Sequence, residues 1–296
     1  MQLDDLKIFV ATVDARNFTA AANRLQLSKQ FVSRRVMALE ASLGVRLLVR
    51  NTRKLAVTDL GYEFYERATR ILADVADAEQ AMSSRRSDPR GLLRVSAPLS
   101  FGMVHLSPLV AAFLRANPEV RIDIELSDRM VDVVGEGFDM ALRIGTLADS
   151  TLIAQKLAEV RMVACCSPAY RKARRPPAGP ADLARHACLL YGEEGRAGWE
   201  FEVDGAVRTV EVHGPLRANN GEVIRDAAIA GLGIALLPEF IVSAALAGGQ
   251  LVEVLESFVS PLRTLYAVYP QHRESSVTIR GFTMFLRERF AEALGA

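Results

Sequence analysis

The chain has 296 residues, 36 basic and 35 acidic side chains, a formal net charge of +1 and a half-hydrophobic composition. This is the make-up of an ordinary folded protein of two or three domains, and it excludes a disordered chain or a disulfide scaffold. No apolar run approaches the roughly 20 residues needed to span a bilayer, so no membrane partner is expected. The opening MQLDDLKIF carries acids where a secretion signal carries positive charge, and a cytoplasmic location is expected.

Charge is distributed unevenly. Residues 16 to 58 hold nine basic side chains and one acid, Glu40. Residues 1 to 90 hold 15 basic and 11 acidic groups, whereas residues 91 to 296 hold 21 and 24. Phosphate contacts need cations gathered on one face, so the first part of the chain is expected to grip double-stranded DNA.

Leu3, Leu6, Phe9, Val10 and Val13 share one helical face, giving a first helix to about Asp14. A second helix reads from Phe18 to Leu25. Ser28 caps a third that runs to about Leu43, where Gly44 ends it. Val45 to Val57 reads as a hairpin around Asn51-Thr52-Arg53. Three helices and a basic hairpin outline a winged helix-turn-helix over residues 1–58. With Val32, Val36, Leu39 and Leu43 facing inward, Lys29, Gln30, Ser33, Arg34 and Met37 face outward as readers of base edges. Arg50, Arg53 and Lys54 on the hairpin suit phosphate or the minor groove. The plainer alternative is a solvated basic face.

Thr58 caps a fourth helix expected to reach about Ser84, within a linker of residues 59–87. Phe64, Ala68, Ile71, Val75, Ala78 and Met82 form a narrow heptad seam along it. Such a seam predicts pairing with a second copy; the alternative is an arm packed on its own domain. Residues 85–91, polar and broken by Pro89 and Gly91, read as a hinge.

From residue 92 the period changes. Short buried strands are expected at 92–97, 121–126, 140–144, 162–166, 234–237 and 265–269. Helices are expected at 102–116, 129–136, 222–230, 239–247 and 277–292. The alternation predicts α/β layers with mostly parallel sheets. Asp204-Gly205 marks a tight hairpin between 201–203 and 207–212.

Residues 18 to 61 resemble the DNA-binding segment of LysR-type transcriptional regulators. The match includes Ala21-Ala22-x-x-Leu25, Ser28-x-x-x-Val32-Ser33, Leu39-Glu40-x-x-Leu43-Gly44-x-x-Leu47 and Thr58-x-x-Gly61. Ser96-Ala97-Pro98, Phe138-Asp139, Arg143-Ile144-Gly145 and Gly231-Leu232-Gly233-Ile234 extend the resemblance through the body. It implies that residues 88–296 form a two-lobed effector domain like a periplasmic solute-binding protein. Lobe one would take 92–162 and 268–296, lobe two 163–267. It also implies a small organic effector and dimers that pair into tetramers; RNA polymerase is expected as a further partner, and no cofactor or metal is expected, because no CxxC spacing suggests zinc. Where the family commonly has Gln-Pro-Ala after the capping serine, this chain has Lys29-Gln30-Phe31; Gln30 suits adenine, and Lys29 suits guanine or phosphate.

The resemblance places the effector between the lobes, and the local chemistry favours an acid. Leu99-Ser100-Phe101 link a strand end to a helix start, where free N–H groups attract anions. Ser127, Arg143, Gly145 and Thr146 lie at strand ends, and Asn219-Asn220-Gly221 precede a helix across the cleft. Phe101, Tyr191 or Trp199 would cover an aromatic ring. Each has a plainer reading: serine and asparagine as N-caps, Arg143 paired with Asp139 or Glu125, Trp199 as packing. An enzyme is disfavoured, because the four histidines are scattered and no nucleophile or phosphate-loop motif appears. Cys165, Cys166 and Cys188 leave a thiol-based redox regulator as the alternative signalling class.

Overall fold

The computed structural model describes residues 1–51, 54–82, 88–145, 151–192 and 198–294. The chain divides into two compact units, Met1–Ser87 and Asp88–Ala296.

In the first unit α1 (Leu3–Ala15), α2 (Phe18–Leu25) and α3 (Lys29–Leu43) precede the hairpin β1 (Leu48–Asn51) and β2 (Lys54–Val57), then α4 (Asp59–Met82). The caps follow side-chain chemistry. Asn17 accepts the Thr19 N–H at 2.7 Å to start α2, and Ser28 Oγ accepts the Phe31 N–H at 3.2 Å to start α3. A serine cap contributes about 1 kcal/mol. Gly44 ends α3 at φ 70°, where a side chain would be strained. Ile8, Phe9, Val32, Val36, Leu39, Leu47 and Leu48 fill the core. Thr58 Oγ donates to the Arg46 carbonyl at 2.8 Å and accepts the Gly61 N–H at 2.9 Å, stapling α4 to the hairpin base. A Cβ at Gly61 would fall 2.1 Å from the Leu47 carbonyl oxygen, which explains the glycine there.

The second unit begins with β3 (Gly91–Ala97). A helical run follows, made of α5 (Leu99–Phe101), a π-helical turn (Gly102–Leu106) and α6 (Ser107–Ala116). Next come β4 (Val120–Leu126), β5 (Met140–Ile144), β6 (Leu152–Val160), β7 (Met162–Cys166), α7 (Pro168–Ala173) and β8 (Cys188–Tyr191). The hairpin β9 (Gly198–Val203) and β10 (Ala206–Glu211), then β11 (Arg217–Ala218), α8 (Gly221–Ile229), β12 (Ile234–Pro238), α9 (Glu239–Ala247), β13 (Val252–Glu253), β14 (Arg263–Pro270) and α10 (Val277–Leu294) complete it.

Two five-stranded sheets form the lobes, in the orders β4-β3-β5-β14-β6 and β11-β8-β12-β7-β13. They are mixed and not mostly parallel: β14 runs antiparallel to β5 and β6, and β12 and β13 run antiparallel to β7. Arg161 alone separates β6 in the first sheet from β7 in the second. The return crossing precedes Arg263, because all of β14 pairs in the first sheet. The boundary expected at 267/268 therefore moves upstream. Lobe one packs Val95, Met140 and Leu142 against Phe101, Phe113, Phe282 and Phe290. Lobe two buries Ile224, Ala228 and Val242 on one face of its sheet and Trp199, Phe201 and Val212 on the other.

Two further expectations fail. Residues 129–136 are irregular, with a turn from Val133, and not a helix: Asp132 accepts the Gly135 N–H at 2.9 Å, and Glu136 accepts the Asp132 N–H at 2.9 Å. Side chains that capture local N–H groups compete with helix formation. The stretch Leu99–Ala116, with a mean hydropathy of 1.4, is long and apolar enough to cross a bilayer, yet its Phe101, Leu106 and Phe113 are buried in the lobe one core.

Candidate DNA-binding face and effector cleft

Helix α3 turns a polar face outward. Ser28, Lys29, Gln30, Arg34 and Met37 are exposed, Ser33 is half-buried, and Val32, Val36 and Leu39 point into the core. Not all nearby basic residues serve that face. Arg35 is clamped by Asp5 at 2.5 Å and by Gln2 at 3.0 Å, and Arg24 lies 3.4 Å from Asp14. Among the described residues, no acid pairs with Lys29, Arg34 or Arg46. Glu40 does not neutralise the face either. Its Oε1 accepts the backbone N–H groups of Leu47 and Leu48 at 2.8 and 3.0 Å, tying the hairpin to the end of α3. In the hairpin Arg50 pairs in register with Leu55 and Asn51 with Lys54, so Arg50 and Lys54 flank its tip. Arg53 and Thr52 lie outside the described residues, as do the side chains of Arg50 and Lys54.

The α4 seam is divided. Phe64 packs on the domain core, its ring 5.3 Å from Phe9, and Ala68 is fully buried. These two serve their own domain, contrary to the pairing role expected of them. Tyr65 reinforces that docking by donating its hydroxyl to Asp14 at 2.5 Å. Farther along, Ile71 is 43% exposed, Ala78 is exposed and Val75 is half-buried; the Met82 side chain lies outside the described residues.

In the second unit the chain itself takes up part of the expected anion cradle. Asp128 accepts the Leu99 N–H at 2.9 Å. Ser127 and Gly145 give their N–H groups to Ala97 and Thr264. Asn220 accepts the Val223 N–H at 3.2 Å as the cap of α8, while Asn219 is exposed. Phe101 and Trp199 pack as core residues: Phe101 is fully buried between His105, Phe240 and Phe290, and Trp199 lies in the lobe two core. Thr146 lies outside the described residues.

Arg143 differs. It is only 9% exposed, and its guanidinium donates to the Ser96 hydroxyl and the Leu142 carbonyl, each at 3.1 Å. Neither plainer partner holds it, since Asp139 pairs with Arg273 at 2.8 Å and Glu125 with Arg129 at 3.2 Å. Burial, and then repulsion from Arg129, lower its pKa. Two acids that the sequence did not single out complete the cleft. Ser100 Oγ donates to Glu222 of the opposite lobe at 2.5 Å, and burial beside Asp128 and Glu222 raises the Tyr191 pKa. Their only sequence signal was position: Asp128 follows Ser127, and Glu222 opens α8.

A winged helix-turn-helix with an open cationic face, followed by a two-lobed α/β unit with polar groups converging between the lobes, defines a ligand-responsive DNA-binding regulator. Family comparison makes this specific. Residues 3–62 match the family described as "Bacterial regulatory helix-turn-helix protein, lysR family", and residues 86–291 match "LysR substrate binding domain". The chain is 37% identical to the HTH-type transcriptional regulator PtxR of Pseudomonas aeruginosa, over 97% of this chain and 93% of that protein. It is 35% identical to the regulator DmlR of Escherichia coli, over 98% and 95%. The solved structure of CrgA, a LysR-type regulator from Neisseria meningitidis, matches with a TM-score of 0.60 and 32% identity, covering 98% of this chain and 99% of that one. The chain belongs to the LysR family: it is a DNA-binding transcriptional regulator with an effector-binding domain, and not an enzyme.

Proposed function

We propose that this regulator reads its operator with Lys29, Gln30, Ser33, Arg34 and Met37 in the major groove while Arg50, Arg53 and Lys54 hold phosphates, and that a small organic acid bound between the lobes controls it. The observation that carries the acid is Arg143, a buried cation that among the described residues hydrogen-bonds only neutral oxygens. Asp128 and Glu136 act on it only from a distance, and an anionic ligand in direct contact would offset the cost of burying the charge. Ser100 and Asn219 would supply further contacts, which requires the Ser100–Glu222 hydrogen bond to exchange. The exposed part of the α4 seam, from Ile71 to Met82, would pair two copies so that two α3 helices address two half-sites. Dimers would pair into tetramers through the effector units, and RNA polymerase is a further expected partner. Work on DNA implies a cytoplasmic setting.

The acid reading is tested by a thermal-shift screen of small carboxylates on the full chain. A hit's stabilisation should vanish in Arg143→Met and weaken in Ser100→Ala and Asn219→Ala. Stabilisation unchanged in all three variants places the ligand elsewhere.

The redox alternative has less support. Cys165, Cys166 and Cys188 are buried, and burial pushes the Cys165 and Cys188 thiols up to about 12. Reactive cysteines are accessible thiolates, and these are neither.

A further inference from the structure

We infer that Phe31 reads the methyl group of a thymine in each operator half-site. This rests on the placement of α3 in the major groove. Isolated exposed apolar side chains are common and need no explanation. Phe31 is different because of its neighbours. It is 39% exposed on the first turn of α3, beside the exposed Lys29, Gln30 and Arg34, while the core beneath it is filled by Val32, Val36 and Leu39.

Its direction is set by the backbone. The Phe31 N–H is held by Ser28 Oγ at 3.2 Å, and helical side chains lean toward the helix N-terminus. That end of a recognition helix carries the residues that touch base edges. In the major groove the thymine methyl is the one apolar base feature, and an aromatic ring contacts it without needing a hydrogen-bond partner. Lys29, Gln30 and Arg34 supply the polar contacts, so Phe31 would add apolar discrimination to the same face.

The test uses the full chain and a duplex selected by it from a random pool. Each thymine is replaced singly by deoxyuridine, which removes only the methyl group, and affinity is measured for wild type, Phe31→Ala and Phe31→Leu. Wild type should lose about four-fold at one thymine per half-site, the factor that burying one methyl-sized group contributes. Phe31→Ala should bind thymine and uracil duplexes alike, and Phe31→Leu should retain part of the preference. Three results would overturn the inference: wild type indifferent to every replacement, Phe31→Ala keeping the thymine preference, or Phe31→Ala losing affinity equally on both duplexes with a lowered melting temperature. Failure of the underlying placement looks different. There, Gln30→Ala and Arg34→Ala leave affinity for the selected duplex unchanged.

Discussion

The Ser100 hydroxyl of lobe one donates to the Glu222 carboxylate of lobe two at 2.5 Å, so the two lobes are joined by a hydrogen bond at the place where the effector is proposed to bind. An acid ligand entering there meets both Arg143 and this carboxylate. Glu222→Gln removes a charge that opposes the anion and keeps an acceptor for Ser100. Its affinity for a carboxylate hit should rise about three- to ten-fold, a difference of roughly 1 kcal/mol as for partly solvated charge pairs. Isothermal titration checks the direction; weaker binding would mean that Glu222 contacts the ligand through a donor on it.

On the DNA face, Lys29→Ala and Gln30→Ala should change which bases are preferred, because both are exposed on the first turn of α3, which is proposed to read them. Arg53→Ala should weaken all sequences alike and lower the salt slope of binding by about one, as loss of one phosphate contact does. Binding to specific and scrambled duplexes across a salt series separates the two classes. Equal losses for all three variants would show that the assignment is mistaken.

The divided α4 seam predicts two kinds of variant. Phe64→Ala should destabilise the first unit by about 1–3 kcal/mol, because its ring packs 5.3 Å from Phe9. Ile71→Asp should leave melting of a dilute monomer nearly unchanged and shift sedimentation from dimer to monomer. If Ile71→Asp instead unfolds the protein and leaves its association intact, the exposed end of the seam is structural.

The cysteines make a pH-dependent prediction. Burial raises the Cys165 and Cys188 thiols to about 12, above their unfolded values near 8.5. Stability from the neutral thiols is therefore complete below about pH 8.5 and is lost as pH rises toward 12. At pH 8 the folded protein should react with a thiol reagent far more slowly than the urea-unfolded chain. Rapid labelling of the native protein would revive the redox reading.

Features set by neighbouring residues were legible in the sequence. Ser28 and Gly44 bound α3 because cap chemistry is local, and Asp204-Gly205 turns its hairpin because both residues accept positive φ. Features set by distant residues were not. Phe101 reads as a cleft aromatic beside Ser100, yet Phe240 and Phe290 enclose it from far along the chain. The Leu99 N–H reads as an open anion donor until Asp128 is found on it. β6 is not legible in the sequence, because its half-exposed residues lack a clean alternation. Arg143 was legible as a cation at a strand end; its freedom from Asp139 and Glu125 emerged only when the fold sent those acids to Arg273 and Arg129.

Arg161, the single residue where the chain first passes from lobe to lobe, holds Glu239 at 2.9 Å and Glu253 at 2.6 Å, both on lobe two. These pairs are partly open to solvent, so dissolved ions weaken them much as they weaken phosphate contacts. Concentrated electrolyte therefore weakens the hold of lobe two on this residue. Both acids belong to lobe two, so the crossing residue is anchored on that side, and the first lobe meets it through β6.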